Sequence, residues 1–183
     1  MEESAHIVER KKKVTEATTF PVPFTLVDIN RNISISTNIE KKFSKEKIIN
    51  QAIKFHLEGN IKEASRFYQY CLTQGFNNPI VFSNYGSILK GLGNLKKAEL
   101  LQRKAIELNP YYANAYSNLG NILSDLGQSK EAEISYRKAI KLNPNFANAH
   151  HNLGYILCEN GNYSEAIKSY KSALKLNTSL SAT

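Results

Sequence analysis

A period of 34 residues runs through most of this chain and constrains its fold more than any other feature of the sequence. With Lys45 as the first position of the period, small residues recur in fixed register. The fifteenth position is always glycine and the twentieth is always alanine: Gly59, Gly93, Gly127 and Gly161, then Ala64, Ala98, Ala132 and Ala166. Such a pattern predicts a stack of similar units rather than one globule around a single pocket. Stacks of this kind typically bind other chains along their surface.

The third unit, residues 113–146, indicates how each repeat folds. Its first half carries apolar residues at helical spacing, which form one face: Tyr116, Leu119, Gly120, Ile122, Leu123 and Leu126. Gly127 follows, where a glycine can take the left-handed conformation that ends a helix. A second helical face then runs to Asn143-Pro144, and the proline ends that helix. Each unit is therefore predicted to be an antiparallel helix pair, with Gly120 and Ala132 where its two helices cross.

The order of these residues resembles the tetratricopeptide repeat family, in its bacterial type. The resemblance covers residues 45–180 and rests on Leu/Gly/Leu in the first helix, Gly at the turn, Ala in the second helix, then Tyr, Ala and Asn-Pro. Departures include Gln102, where Tyr136 stands in the next unit, and Thr178 in place of the last proline. The resemblance implies an all-α fold, a right-handed α-solenoid of four antiparallel helix pairs. Its units are 45–78, 79–112, 113–146 and 147–180.

The residues outside the repeats differ in character. Residues 1–19 are charged and are predicted to be disordered. Residues 20–44 contain two short stretches with strand character around Asn30-Arg31-Asn32, which predicts a β-hairpin and a linker. Such a hairpin is marginal alone, so docking on the repeats, pairing with a partner and a loosely held tail all stay open. Residues 181–183 form a short tail.

Asparagine fills the sixth position of every unit, and we call these residues the asparagine column: Asn50, Asn84, Asn118 and Asn152. In a stack of helix pairs the first helices line the concave side. A primary amide both donates and accepts hydrogen bonds, so it can pair with the C=O and the N–H of a peptide backbone. The column therefore predicts binding of an extended chain with little regard to its side chains. Neighbouring candidates on the same helices are Ser117, Asn121 and His151.

The repeats are similar to those of O-linked N-acetylglucosamine transferase, in which the resemblance implies that matching asparagines hold substrate peptides. The predicted function is a non-catalytic protein- or peptide-binding scaffold. The alternative is a recruitment or targeting arm for a glycosyl- or sulfotransferase whose catalytic domain is absent from this chain. A second reading of the column also stays open, since asparagine could be common at this position and only keep the groove hydrated.

The sequence contains no recognised catalytic constellation and predicts no enzyme, cofactor or metal site. The adjacent His150 and His151 would point about 100° apart on a helix and could not share a metal ion. The net charge is +8, and about seven of these charges lie in the repeats. Because these lysines are mixed with glutamates, they indicate a solvated face rather than a nucleic-acid or lipid surface. Without a long apolar run, the sequence predicts a cytoplasmic protein that does not enter membranes.

The last helix of the array carries an apolar face for which the sequence supplies no covering unit. Ile167, Tyr170 and Leu174 are spaced to lie on one side of it. An apolar face left bare favours association. A homo-oligomer formed through this repeat is therefore predicted, unless a partner or the N-terminal segment covers the face.

Overall fold

The computed structural model describes residues 44–180, which form eight α-helices in four consecutive antiparallel pairs. These helices are α1 Lys45–Leu57, α2 Ile61–Thr73, α3 Pro79–Gly91, α4 Leu95–Leu108, α5 Ala113–Asp125, α6 Ser129–Leu142, α7 Ala147–Glu159 and α8 Tyr163–Leu180. Neighbouring helices along the chain pack against each other from α1 to α8. The all-α solenoid of four helix pairs is thus confirmed. The predicted disordered terminus, hairpin and C-terminal tail lie outside the described residues.

The helix ends follow from local chemistry. Gly127 has φ 73°, a left-handed conformation that glycine adopts without steric cost, and it turns the chain from α5 into α6. The α4 helix begins where the side chain of Asn94 accepts a hydrogen bond from the backbone N–H of Lys97. The α6 helix ends at Leu142, just before the extended Asn143 that precedes Pro144. Short connections of this kind hold the two helices of a pair antiparallel.

The predicted close crossing inside the third pair is confirmed. A Cβ atom built on Gly120 would lie 2.6 Å from Cε1 of Tyr136, so the ring of Tyr136 occupies the space that a side chain would need. Ala132 is fully buried at the same interface. The helices α5 and α6 can approach this closely because both positions are small.

The second pair has a different residue at the matching crossing. Gln102 takes the place of the tyrosine and is fully buried, and its Nε2 donates to the backbone oxygen of Ser83 at 2.8 Å. Its Oε1 has no hydrogen-bond partner, which makes it the one buried side-chain polar atom of the described residues in this condition. A buried acceptor without a donor costs stability. The exchange of tyrosine for glutamine therefore leaves a local defect between α3 and α4.

The core follows the array as two clusters of buried side chains, one centred on the first two pairs and one on the last two. The first helices of successive pairs approach each other, α3 with α5 and α5 with α7, more closely than α4 with α6 or α6 with α8. An array bent in this way has its first helices on the inside. The inner, concave surface is therefore formed by α1, α3, α5 and α7, and we call it the groove.

Candidate functional site

The asparagine column lies on the groove helices, but its side chains are also used within the array. Nδ2 of Asn84 donates to the hydroxyl of Tyr68 in the preceding pair at 2.9 Å. Nδ2 of Asn118 donates to Oγ of Ser83, also one pair back, at 3.2 Å. Each of these amides therefore links its own pair to the preceding one. The sequence reasoning missed this structural role, although the 16-residue spacing of Asn84 from Tyr68 was available as a signal.

The last asparagine of the column belongs to a longer chain of hydrogen bonds. Nδ2 of Asn152 donates to Oδ1 of Asn121 at 2.7 Å, and the hydroxyl of Tyr136 donates to the same oxygen at 2.8 Å. Oδ1 of Asn152 lies 3.4 Å from Nδ1 of His151. The structure therefore brings together three of the predicted site residues, Asn121, His151 and Asn152, across the interface of the third and fourth pairs.

The remaining predicted residues are placed differently. Asn50 is exposed on α1, and its side chain makes no hydrogen bond to another described residue. Ser117 is only 3% exposed, so it offers almost no surface to a ligand in the groove. Asn84 and Asn118 are half-buried.

The column keeps unused hydrogen-bonding capacity. Within the described structure, Oδ1 of Asn84 and Oδ1 of Asn118 accept no hydrogen bond, yet neither is a buried unsatisfied atom. Neither oxygen is therefore fully buried within the described part of the chain. Each amide also has a second N–H, since only one of the two is needed for the internal bond. One acceptor and one donor per pair are the groups that an extended backbone requires.

Charge is distributed unevenly between the two surfaces. The second helices α4, α6 and α8 each carry two more basic than acidic residues. Each of the groove helices α3, α5 and α7 has a single Lys, Arg, Asp or Glu, and these are Lys90, Asp125 and Glu159. Nζ of Lys90 pairs with Oδ2 of Asp125 at 2.9 Å. The surface of α3, α5 and α7 is therefore polar with few charges, whereas the second helices α4, α6 and α8 are basic. The first groove helix, α1, differs, because it carries Lys45, Lys47 and Lys54 against Glu46.

Two titratable groups near the groove are held in their neutral forms. Burial raises the pKa of the Tyr68 hydroxyl, which accepts the bond from Asn84, to about 12. Burial likewise raises the pKa of the Cys71 thiol to about 12, so this cysteine is a packing group with little thiolate at neutral pH. Neither group is prepared for acid–base or nucleophilic chemistry.

Between residues 44 and 180, no three His, Cys, Asp or Glu side chains are grouped so that they could hold a metal ion. No helix in this range has the length and hydropathy that crossing a membrane requires.

Comparison with known proteins agrees with this architecture. Three models of the tetratricopeptide repeat match residues 81–112, 113–146 and 135–168. A sequence comparison with curated proteins finds no match.

Solved structures of similar shape include a crystal structure of MamA, with a TM-score of 0.70 at 21% identity, covering 85% of this chain and 90% of that one. A MamA fragment from Desulfovibrio magneticus has a TM-score of 0.66 at 20% identity, covering 76% and 78% of the two chains. A mutant O-GlcNAc transferase from Thermobaculum terrenum has a TM-score of 0.59 at 26% identity, covering 62% of this chain and 22% of the transferase. At such identities the MamA structures show the fold alone. From its repeat signature and its stacked helix pairs, the chain belongs to the tetratricopeptide repeat family.

Proposed function

We propose that this protein is a non-catalytic scaffold that binds an extended segment of a partner protein in its groove. The observation that carries the proposal is the asparagine column, in which Nδ2 of Asn84 and of Asn118 is fixed by an internal bond while Oδ1 accepts no hydrogen bond from a described residue. An amide fixed in this way loses little side-chain freedom when it binds. Pairing with the backbone rather than with side chains makes the groove tolerant of ligand sequence.

The dimensions fit a short segment. Helix layers stack roughly 10 Å apart, so four asparagines span about 30 Å. An extended chain covers that length with roughly nine residues at ~3.3 Å each. The helices α3, α5 and α7 together carry only three Lys, Arg, Asp or Glu residues, so this part of the groove favours an uncharged backbone over a strongly charged ligand.

The test replaces Asn84, Asn118 and Asn152 by alanine and measures the binding of nine-residue peptides of unrelated sequence by fluorescence anisotropy. A hydrogen bond contributes about 1 kcal/mol net, so each replacement should weaken every peptide by about fivefold. Because the same amides join neighbouring pairs, each variant should also lose about 1 kcal/mol of stability. Circular dichroism must therefore show that the variant is folded at the assay temperature.

Asn145→Ala is the matched control, since Asn145 is an exposed asparagine in the turn before α7 and lies outside the column. It should leave peptide affinity unchanged. Peptides that bind a folded triple variant as tightly as the unaltered protein would refute the backbone-pairing role and leave the column as an internal, hydrating feature.

A recruitment role beside a glycosyl- or sulfotransferase is the alternative. Its support is the similarity to the Thermobaculum terrenum O-GlcNAc transferase, of which this chain covers 22%. The same groove would serve it, so the peptide measurements apply, and co-purification with a transferase would favour it. The cytoplasmic location and the lack of nucleic-acid binding stay predictions.

We also propose that the array associates through its last helix. In α8, the side chains of Ile167 and Leu174 are 53% and 65% exposed. Tyr170 differs from its two neighbours because its ring packs over Gly154 inside the pair. Ile140, which matches Leu174 one period earlier, packs into the core of the last two pairs. A second copy of the chain could cover Ile167 and Leu174 in a similar way.

A further inference from the structure

Three side chains spaced four residues apart form a distinct stripe on α7. They are His151, Tyr155 and Glu159, which we call the α7 stripe; all three are exposed on this groove helix, and Tyr155 is 50% exposed. The matching positions hold Ser83, Ser87 and Gly91 on α3, and Ser117, Asn121 and Asp125 on α5. At these positions the fourth pair therefore carries aromatic rings that the second and third pairs lack, and His151 is exposed where Ser83 and Ser117 are buried.

Contacts within the fourth pair fix the orientation of the α7 stripe. The hydroxyl of Tyr155 donates to Oε1 of Glu159 at 2.7 Å. The ring of His151 packs edge-on against Tyr170 of α8, with the ring centres 5.4 Å apart and the planes at 67°. The two rings are thus oriented before any ligand arrives, and ordering them costs less on binding.

Glu159 gives the α7 stripe an unbalanced negative charge. The other two charged residues of α3, α5 and α7, Lys90 and Asp125, neutralise each other across 2.9 Å. Glu159 has no ion-pair partner in the part of the chain that the structure describes, and its bond from Tyr155 comes from a neutral group. The basic residues of the fourth pair all lie on the second helix, α8. This end of the groove is therefore locally acidic in a chain of net charge +8.

We propose that His151, Tyr155 and Glu159 form a subsite for a basic side chain, arginine above all, of the segment bound in the groove. A guanidinium group stacks on the face of a tyrosine or histidine ring and donates hydrogen bonds in its own plane, where a carboxylate can accept them. The α7 stripe offers these two features on successive helical turns. The inference rests on the proposed function and names one side chain that the segment carries.

The position of the subsite also indicates where in the bound segment the basic residue lies. His151 and Asn152 are consecutive residues of α7, so the first residue of the stripe is adjacent to the last amide of the column. The backbone of a bound segment would thus leave the column where the subsite begins. The basic residue is therefore expected near one end of the segment rather than at its centre.

The test uses neutral nine-residue peptides of Ala, Ser, Gly and Thr, with a single arginine moved through all nine positions. Citrulline at the same position is the matched control, because it keeps the shape and loses the charge. Anisotropy with an uncharged dye should show about tenfold tighter binding for arginine than for citrulline at one end position only. The net positive charge of the protein disfavours arginine over citrulline in general. A tenfold preference for arginine at one end position would therefore come from a local site such as the α7 stripe.

Glu159→Gln and Tyr155→Ser should each reduce the arginine preference to twofold or less and leave the citrulline peptides unchanged. Glu131→Gln is the control, because Glu131 is an exposed acidic residue on α6, and this variant should retain the full arginine preference. Equal affinities for arginine and citrulline at every position, or a preference that survives both stripe variants, would overturn the subsite while the groove stands. If none of the peptides binds, the proposed groove fails and the subsite fails with it.

Discussion

At the residue scale, Gly120 shows how one absent side chain permits a helix crossing. Gly120→Ala should lower the free energy of unfolding by about 1–3 kcal/mol, because the new Cβ would overlap the buried ring of Tyr136. Gly154→Ala should cost less, since the opposing ring of Tyr170 is less buried and can move. Gly91→Ala is the control, because no heavy atom lies within 4 Å of its added Cβ. Urea unfolding gives the stabilities of the three variants. Equal midpoints for all three would contradict the expected order.

At the scale of elements, the interface of α3 and α4 contains the unpaired Oε1 of Gln102. Tyr136 packs over Gly120 at the matching place in the third pair, and Gly86 leaves the same kind of opening opposite Gln102. Gln102→Tyr should therefore raise the free energy of unfolding by about 1–3 kcal/mol, since it removes a buried acceptor without a donor. Chemical denaturation gives the value. A variant less stable than the unaltered protein would mean that the second pair is built around the glutamine.

Pairs are joined to each other by polar contacts as well as by packing. The guanidinium of Arg137 on α6 bridges Glu133 on the same helix and Glu165 on α8. Asn160, in the turn between α7 and α8, donates to the second oxygen of Glu133 at 3.0 Å. Arg137 and Glu165 are exposed, so the ion pair between them contributes little to stability.

At the scale of the whole molecule, the exposed Ile167 and Leu174 predict self-association. Sedimentation velocity over a concentration series should show a dimer or larger species, and Ile167→Lys with Leu174→Lys should return the protein to a monomer. Ile167 and Leu174 are better positions for this test than Tyr170, because the ring of Tyr170 packs inside the pair and its replacement would also change the fold. Ile134→Lys is the matched control, because Ile134 is 68% exposed on α6 away from this end. A protein that is monomeric at every concentration, or association that the control abolishes equally, would contradict the prediction.

The sequence by itself determined the helix pairs, their turns and their tight crossings. It could do so because Gly127, Ala132 and Pro144 act on their own backbone or on a helix only a few residues away, and the period repeats that local chemistry along the chain. The asparagine column was visible for the same reason.

Only the tertiary structure decided how the side chains of the column are used. The bonds from Asn118 to Ser83 and from Asn152 to Asn121 cross between pairs, over separations of 35 and 31 residues. Ser117 is buried, although its spacing matches that of the groove residues. Glu159 stands out only once Lys90 and Asp125 are seen to neutralise each other across two pairs. Burial, orientation and charge pairing depend on distances between units, and a repeat pattern carries no such distances.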